Sequence, residues 1–133
     1  MTTEEPRKRA YRVGWSAVHG RGVFAARPLR AGETIGLFRG RAARRPVRGT
    51  DGRIYAVGRE EGGFLVPLRP AGLWFLNHSC EANAEIWLTP RGARLVALRR
   101  IRRGEEIACD YRPSLHNGRL RCRCGARGCS GRI

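Results

Sequence analysis

The sequence predicts a mainly β protein built as one domain, and three observations support this class. The 133 residues include 18 glycines and 7 prolines, which interrupt the chain about every eight to twelve residues. The segments between them are short and rich in Val, Ile, Leu and aromatic residues, as strands are. No segment carries an apolar stripe with helical spacing over three turns. A chain of this length buries about two-thirds of its unfolded surface in one core, which leaves no room for a second full domain.

The expected elements follow in chain order. A glycine turn and then an acidic residue occur in both Leu29-Arg-Ala-Gly-Glu and Ile101-Arg-Arg-Gly-Glu, which predicts two similar corners that lead into strands. Residues 90–93, Pro-Arg-Gly-Ala, predict the tip of a hairpin. Residues 70–75 predict one helical turn. The predicted strands are 11–18, 22–26, 33–38, 53–57, 64–68, 85–88, 94–98 and 105–109.

The charge is strongly positive, with 27 Lys and Arg against 11 Asp and Glu and a formal net charge of +16. Such a surface attracts acidic partners and phosphate polyanions. The arginines are spread along the whole chain without a basic helix or an aromatic-lined groove, so nucleic-acid binding is an alternative and not the leading interpretation. Residues 1–10 predict a flexible basic tail. No long apolar run and no apolar leader segment are present, so we expect a cytoplasmic monomer with no membrane contact.

Three of the five cysteines form the pattern Cys122-x-Cys124-x4-Cys129 in a segment too poor in apolar residues to fold by itself. A disulfide framework is disfavoured by the odd number of cysteines and by the expected cytosolic location. A closed structural zinc site takes four nitrogen or sulfur ligands. Three ligands are local, so the fourth comes from elsewhere in the chain. The candidates for it are Cys80, Cys109, His78 and His116.

The stretch Asn77-His78-Ser79-Cys80 follows the apolar run 73–76 and offers a second interpretation of Cys80. His78 and Cys80 share one face of an extended chain, so His78 could act as a base for a Cys80 nucleophile. No oxyanion-hole pattern accompanies the pair. Zinc binding therefore explains more of the chemically capable residues than nucleophilic catalysis does.

Four motifs then resemble those of one family in order along the chain. They are HGRGVFA at 19–25, LNHSCEAN at 76–83, GEEIACDY at 104–111 and CRCGARGCSGRI at 122–133. The chain is similar to the SET domain family of lysine methyltransferases with a post-SET zinc-binding tail. The resemblance implies a SET-domain (β-clip) fold of several small sheets with a C-terminal pseudoknot, in which the first and third motifs meet. It places the SET domain at 11–112 and the zinc-binding segment at 113–133.

The resemblance also implies the activity and the site. The protein is expected to transfer a methyl group from S-adenosylmethionine to a lysine of a protein or peptide substrate. Tyr111 and Tyr55 are the expected catalytic residues, with the Tyr111 hydroxyl near the transferring methyl. The expected cofactor contacts are Gly20, Arg21, Gly22, Tyr55, Asn77, His78, Tyr111 and Ile133, and the expected zinc ligands are Cys80, Cys122, Cys124 and Cys129. The alternatives are a catalytically silent SET module that binds peptides or acidic partners, and a basic nucleic-acid-associated protein.

Overall fold

The computed structural model describes residues 9–50, 52–59, 61–90, 92–112 and 115–133. Most of the predicted tail 1–10 lies outside the described residues. The described chain forms short strands and one short helix, which confirms the mainly β prediction. The strands are β1 (Tyr11–Trp15), β2 (Arg21–Ala25), β3 (Thr34–Phe38), β4 (Arg41–Ala43), β5 (Val47–Arg48), β6 (Ile54–Tyr55), β7 (Val57–Gly58), β8 (Phe64–Val66), β9 (Asn77–His78), β10 (Ala84–Thr89), β11 (Gly92–Ala97) and β12 (Glu106–Cys109), and a 3-10 helix spans Gly72–Phe75.

The strands form several small sheets, as the family resemblance predicts. One sheet has the order β1-β2-β12-β9, a second β10-β11-β3 and a third β4-β8-β7, while β5 pairs with β6 alone. Among the described residues no helix is long and apolar enough to cross a membrane.

The four-stranded sheet joins the first three motifs. Strand β12 pairs antiparallel with β2, with Ile107 opposite Val23, and parallel with β9, with Cys109 opposite His78. Val23 and Ile107 are fully buried, so the pair anchors the sheet in the core. The expectation that the first and third motifs meet is confirmed.

The hairpin predicted around residues 90–93 is also found. Strands β10 and β11 pair antiparallel from Ala84 opposite Ala97 to Thr89 opposite Gly92, so the turn is tighter than predicted; Arg91 lies outside the described residues. The two predicted corners lie side by side, because Leu29 and Ile101 exchange backbone hydrogen bonds of 2.9 and 3.0 Å.

The sequence prediction differs from the structure where elements are very short. Strands β4, β5 and β9 were not predicted, and the predicted strand 53–57 is divided into β6 and β7, which pair with β5 and β8. Two or three residues are too few to show an alternating apolar pattern. The predicted strand 11–18 stops at Trp15, because Ser16 N–H donates to the Gly20 carbonyl at 2.7 Å and begins a turn.

Candidate active site and metal centre

Tyr111 lies just beyond β12, at the point where two cavities meet. Its hydroxyl donates a hydrogen bond to the Leu76 carbonyl oxygen. The Arg53 guanidinium donates from Nη2 to the same carbonyl at 2.9 Å and to the Tyr111 hydroxyl at 3.2 Å. Tyr111 lines both the larger and the smaller cavity. A group in either cavity therefore contacts the same tyrosine.

The larger cavity has a volume of about 410 Å³ and mainly apolar walls. Aromatic rings form much of the wall, and Phe38 and Trp74 meet edge to face with ring centroids 5.2 Å apart. Tyr55 is buried in the same wall, so the structure places this predicted residue on the side of the larger cavity. Such a space suits an aliphatic chain that carries its polar end to Tyr111.

The smaller cavity is enclosed by separate segments of the chain, and its volume of about 20 Å³ holds a group the size of one water. Four of the predicted cofactor contacts line it: Asn77, His78, Tyr111 and Ile133. The turn between β1 and β2, residues 16–20, is called the opening turn and contributes to the lining, as do Arg53 and the C-terminal segment. The residues from these two segments are Val18, His19, Leu120, Arg121, Cys122 and Arg123.

The buried cation among the residues that line the smaller cavity is Arg53, which sequence reasoning missed. Its side chain is buried and only 3% of the residue is exposed, while Nη1 donates to the Arg21 carbonyl at 3.4 Å. The guanidinium of Arg21, a predicted cofactor contact, lies over the rings of Trp15 and Phe75, 5.6 and 5.5 Å from the ring centroids. One buried arginine in a chain rich in arginine leaves no signal in the sequence.

The Asn77 amide fastens the opening turn to β12. Its Nδ2 atom donates to the carbonyls of His19 and Arg21 at 3.2 and 3.3 Å and to Glu106 Oε2 at 2.8 Å. The Ser16 hydroxyl donates to Glu106 Oε1 at 2.7 Å. Sequence reasoning did not single out Ser16 or Glu106, although Glu106 belongs to the third motif. The Asn77 side chain thus holds the walls of the smaller cavity together.

His78 is buried between Tyr111 and Cys80. Its Nδ1 atom accepts the Tyr111 backbone N–H at 2.9 Å, and its Nε2 atom lies 3.2 Å from Cys80 Sγ. Burial lowers the pKa of His78, with Asp110 opposing that effect. Hydrogen bonds from Arg112 hold the pKa of the Asp110 carboxyl at about 2, although burial opposes them. The imidazole is therefore neutral at neutral pH.

Burial also keeps Tyr111 and Cys109 protonated. It raises the pKa of the Tyr111 phenol above its ordinary value, with the Arg53 guanidinium opposing. It raises the pKa of the Cys109 thiol to about 12. The site therefore presents a neutral hydroxyl that can orient a neighbouring group, and no phenolate base at neutral pH.

Cys80, Cys122, Cys124 and Cys129 form one cluster, with all four Sγ atoms within 4.8 Å of one another. The Sγ atoms of Cys80 and Cys122 are 3.9 Å apart, close to the about 3.8 Å that a tetrahedral site with Zn–S bonds of about 2.3 Å requires. The donor set and its spacing therefore fit Zn²⁺.

The thiols of the cluster differ in their ionisation. Burial raises the pKa of Cys122 to about 12. Burial acts in the same direction on Cys124, but hydrogen bonds from the backbone of Cys80 and Ala126 and from the Cys122 and Cys129 side chains together outweigh it and lower that pKa to about 6. A bound dication would stabilise the thiolate form of all four.

Among the four candidates for the distant ligand, Cys80 is the residue that the fold brings to the tail. Cys109 is buried in the wall of the larger cavity, and His116 accepts the Ile54 N–H at 3.1 Å. The structure does bring His78 next to Cys80, as the nucleophile hypothesis needs. However, Cys80 lies within the four-thiol cluster, which favours metal binding.

Comparison with known proteins agrees with the fold and the motifs. The model of the SET domain family matches residues 20–112. The chain is 32% identical over 138 residues to human histone-lysine N-methyltransferase 2B. This match covers 92% of this chain and 5% of the relative. It is 32% identical over 142 residues to the H3 lysine-4 specific histone-lysine N-methyltransferase of Kluyveromyces lactis. This match covers 94% of this chain and 14% of the relative.

A solved structure shows the same architecture. The crystal structure of KRYPTONITE in complex with mCHG DNA and SAH matches with a TM-score of 0.67 and 28% identity, over 90% of this chain and 28% of that chain. The fold and the site define a SET-type protein, and the chain belongs to the SET domain family. It spans only a small part of the length of the relatives that it matches.

Proposed function

We propose that this protein is a protein-lysine N-methyltransferase that transfers a methyl group from S-adenosylmethionine to a lysine side chain of a protein or peptide substrate. The observation that carries the proposal is the position of Tyr111, which lines a larger, mainly apolar cavity on one side and a smaller cavity lined by motif residues on the other. Two reactants that enter from opposite sides would meet there without competing for space. Membership of the SET family and the names of the relatives support the same activity.

The smaller cavity would hold the cofactor, which supplies an electrophilic methyl group. The lining residues fit it in kind, since Arg53 offers a cation for a carboxylate, the backbone around Asn77 and His78 offers polar groups, and Leu120 and Ile133 offer apolar surface for a base. The cavity of about 20 Å³ holds only a group the size of one water, so its lining residues, Arg53 among them, must shift before a larger ligand enters.

The larger cavity would hold the substrate lysine. Its aromatic wall, including Tyr55, packs along the methylene groups, and the loss of water around the amine favours the neutral form that methyl transfer needs. Tyr111 remains protonated because burial raises its pKa, so its hydroxyl orients the amine and does not remove a proton from it. Orientation and exclusion of water then provide most of the rate.

The proposal includes a structural Zn²⁺ held by the four clustered cysteines. It assigns 11–112 to the SET domain and 113–133 to the zinc-binding segment of a monomer. Four thiolates persist as metal ligands in a reducing compartment, which is why we place the protein in the cytoplasm.

The test is methyl transfer from radiolabelled S-adenosylmethionine to proteins of a cell extract, with Tyr111→Phe as the diagnostic variant. We expect kcat to fall by about tenfold or more, as when one positioned hydrogen-bonding group is removed from a site. Tyr11→Phe is the matched control, since Tyr11 packs against the core away from both cavities. Absence of transfer by the wild-type protein, or equal activity of Tyr111→Phe, would contradict the proposal.

A second candidate is a catalytically silent SET module that binds peptides. The observation in its favour is the Arg53 guanidinium in the smaller cavity, hydrogen-bonded to the Leu76 carbonyl and the Tyr111 hydroxyl. Calorimetry with S-adenosylmethionine separates the two functions. A methyltransferase binds the cofactor with a saturable heat, whereas the silent module gives none and still binds a lysine peptide.

A further inference from the structure

The residues around His78 connect the cysteine cluster to the active site. His78 ends β9 and pairs with Cys109 on β12, so the backbone of Tyr111 passes over its ring. The ring centroids of His78 and Tyr111 are 5.4 Å apart, and 5% of His78 is exposed. The imidazole is thus enclosed, with Cys80 at one nitrogen and Tyr111 at the other.

The hydrogen bonds determine where its proton lies. A backbone N–H can only donate, so Nδ1, which receives the Tyr111 N–H at 2.9 Å, must carry a lone pair. The proton of a neutral imidazole then resides on Nε2, which lies 3.2 Å from Cys80 Sγ. A thiolate sulfur is an acceptor for this N–H.

Asp110 does not compete for the imidazole. Its Oδ1 atom lies 3.6 Å from His78 Nδ1, beyond hydrogen-bonding distance. The carboxylate is instead held by Arg112, with Nε at 2.9 Å from Oδ1 and Nη2 at 2.7 Å from Oδ2.

We propose that His78 is a positioning residue that links the metal site to Tyr111: its Nε2–H donates to the Cys80 metal ligand while its Nδ1 holds the Tyr111 backbone. This inference rests on the proposed function and gives His78 a task besides lining the cofactor cavity. The bond to sulfur fixes the plane of the ring, because Cys80 is itself fixed by the metal. The fixed ring in turn sets the backbone of Tyr111 and hence the direction of its hydroxyl.

Two substitutions separate the two ends of the link. His78→Asn places an amide oxygen near the Nδ1 position, so it can still accept the Tyr111 N–H but does not reach Cys80. His78→Gln places an amide nitrogen near the Nε2 position, so it can still donate to Cys80 but loses the acceptor for Tyr111. Ser79→Ala is the matched control on the same segment, since the Ser79 hydroxyl accepts only the local Glu81 N–H among the hydrogen bonds of the described residues.

The hydrogen bond between His78 and Cys80 is tested on the full chain loaded with Co²⁺ in place of zinc. We expect the sulfur-to-cobalt charge-transfer band to move to lower energy in His78→Asn, because a sulfur without its N–H donor gives more charge to the metal. The band should keep its wild-type position in His78→Gln and in Ser79→Ala. An identical band in His78→Asn and the wild type would overturn the proposal.

The hydrogen bond from the Tyr111 N–H to His78 Nδ1 is tested by hydrogen exchange at the Tyr111 amide. Exchange should be faster in His78→Gln than in His78→Asn, and kcat should fall further in His78→Gln, by about 10- to 100-fold relative to the wild type. The reverse order would overturn the link. The cobalt and exchange measurements need no enzymatic activity, so they stand if the methyltransferase function fails.

A third measurement needs no variant. Nitrogen-15 spectra of the zinc-loaded wild-type protein should show a pyrrole-type Nε2 and a pyridine-type Nδ1 for His78. A proton on Nδ1 would contradict the proposal even if every His78 variant failed to fold.

Discussion

Gly22, in β2 directly after the opening turn, is a position where the fold leaves no space for a side chain. A Cβ atom there would lie 2.5 Å from Glu106 Oε2 and 3.0 Å from both Asn77 Nδ2 and Ser16 Cβ. These three residues belong to the hydrogen-bonded group that joins the turn to β12. They cannot withdraw from a new methyl group without losing those bonds.

We therefore expect Gly22→Ala to lower the free energy of unfolding by about 1–3 kcal/mol, the usual cost of overpacking, and to weaken cofactor binding. Urea unfolding and calorimetry measure the two effects. Gly58→Ala is the matched control, because among the described residues, apart from its two chain neighbours, no atom lies within 4 Å of a Cβ at that position. Equal stability of the two variants would show that the space around Gly22 adapts.

Cys109 gives a prediction on stability at high pH. Its thiol has a pKa of about 12 because of burial, whereas an unfolded cysteine ionises near about 8.5. The raised folded pKa means that the contribution of this group is complete below about pH 8.5 and is lost as the pH rises toward 12. The loss is about 1.4 kcal/mol per pH unit for one group.

Urea unfolding of the zinc-loaded protein at several pH values from about 7 to 11 measures this effect. Cys109→Ala should show a smaller fall in unfolding free energy above about pH 9 than the wild type, whatever its stability at neutral pH. The ionisation of Tyr111 adds to the fall in unfolding free energy of both proteins, so it cancels when their two curves are subtracted. Parallel curves for the two chains would contradict the assignment.

At the scale of elements, the position of the C-terminal segment depends on a few backbone hydrogen bonds and on the cysteine cluster. Leu120 and Ile133 exchange backbone hydrogen bonds of 3.2 and 2.9 Å, and the four cysteines draw the segment toward β9. Residues of this segment form one wall of the smaller cavity. The cysteine cluster and the smaller cavity therefore share a structural support.

We expect Cys80→Ser to release zinc and to weaken S-adenosylmethionine binding together. Metal content after dialysis and calorimetry with the cofactor measure the two effects. Cys109→Ala should retain its zinc, because Cys109 lies outside the cluster. Loss of zinc with unchanged cofactor affinity would show that the segment holds its position without the metal.

Sequence patterns predicted the longer strands. Strands β3, β10, β11 and β12 fall within a residue or two of their predicted ranges, because each is a short segment rich in Val, Ile, Leu or aromatic residues between turn residues. Strand β9 was missed because its two residues, Asn77 and His78, are extended only through pairing with distant β12. Such pairing is a tertiary property that local pattern does not carry.

The candidate site divides in the same way. Family motifs indicated the four cysteines, which the fold brings together, and Asn77, His78, Tyr111 and Ile133, which line one cavity. They did not indicate Arg53, whose burial depends on the packing of β6 against the rest of the site. The Arg21 guanidinium lies over the rings of Trp15 and Phe75, and its contact with the cofactor stays a prediction. The roles of these residues remain predictions.

At the scale of the whole molecule, the formal net charge of +16 produces a field that favours acidic partners. The names of the relatives specify histone lysines, and histone tails are basic. A basic tail approaching this surface is repelled. We therefore expect the preferred lysine to lie in an acidic sequence.

Two peptides with the same central lysine and the same length, one flanked by acidic and one by basic residues, test this expectation. The acidic peptide should have the higher kcat/KM at low salt, and its advantage should shrink as salt shortens the screening length from about 10 Å at 0.1 M to about 3 Å at 1 M. Equal salt dependence of both peptides would show that the net charge plays no part in substrate choice.

The order β1-β2-β12-β9 has a consequence for how the protein is made. Strand β12 sits between two strands that leave the ribosome before it, and their contacts with it close loops of many residues, a feature of slow folding steps. Chains are synthesised from the amino terminus, and earlier segments begin to fold first. A nascent chain that ends before Tyr111 has the opening turn and the NHSC segment but no hydroxyl between them. The four-stranded sheet and the contacts of Tyr111 therefore form only after residue 111 has left the ribosome, which makes the assembly of this site a late step in synthesis.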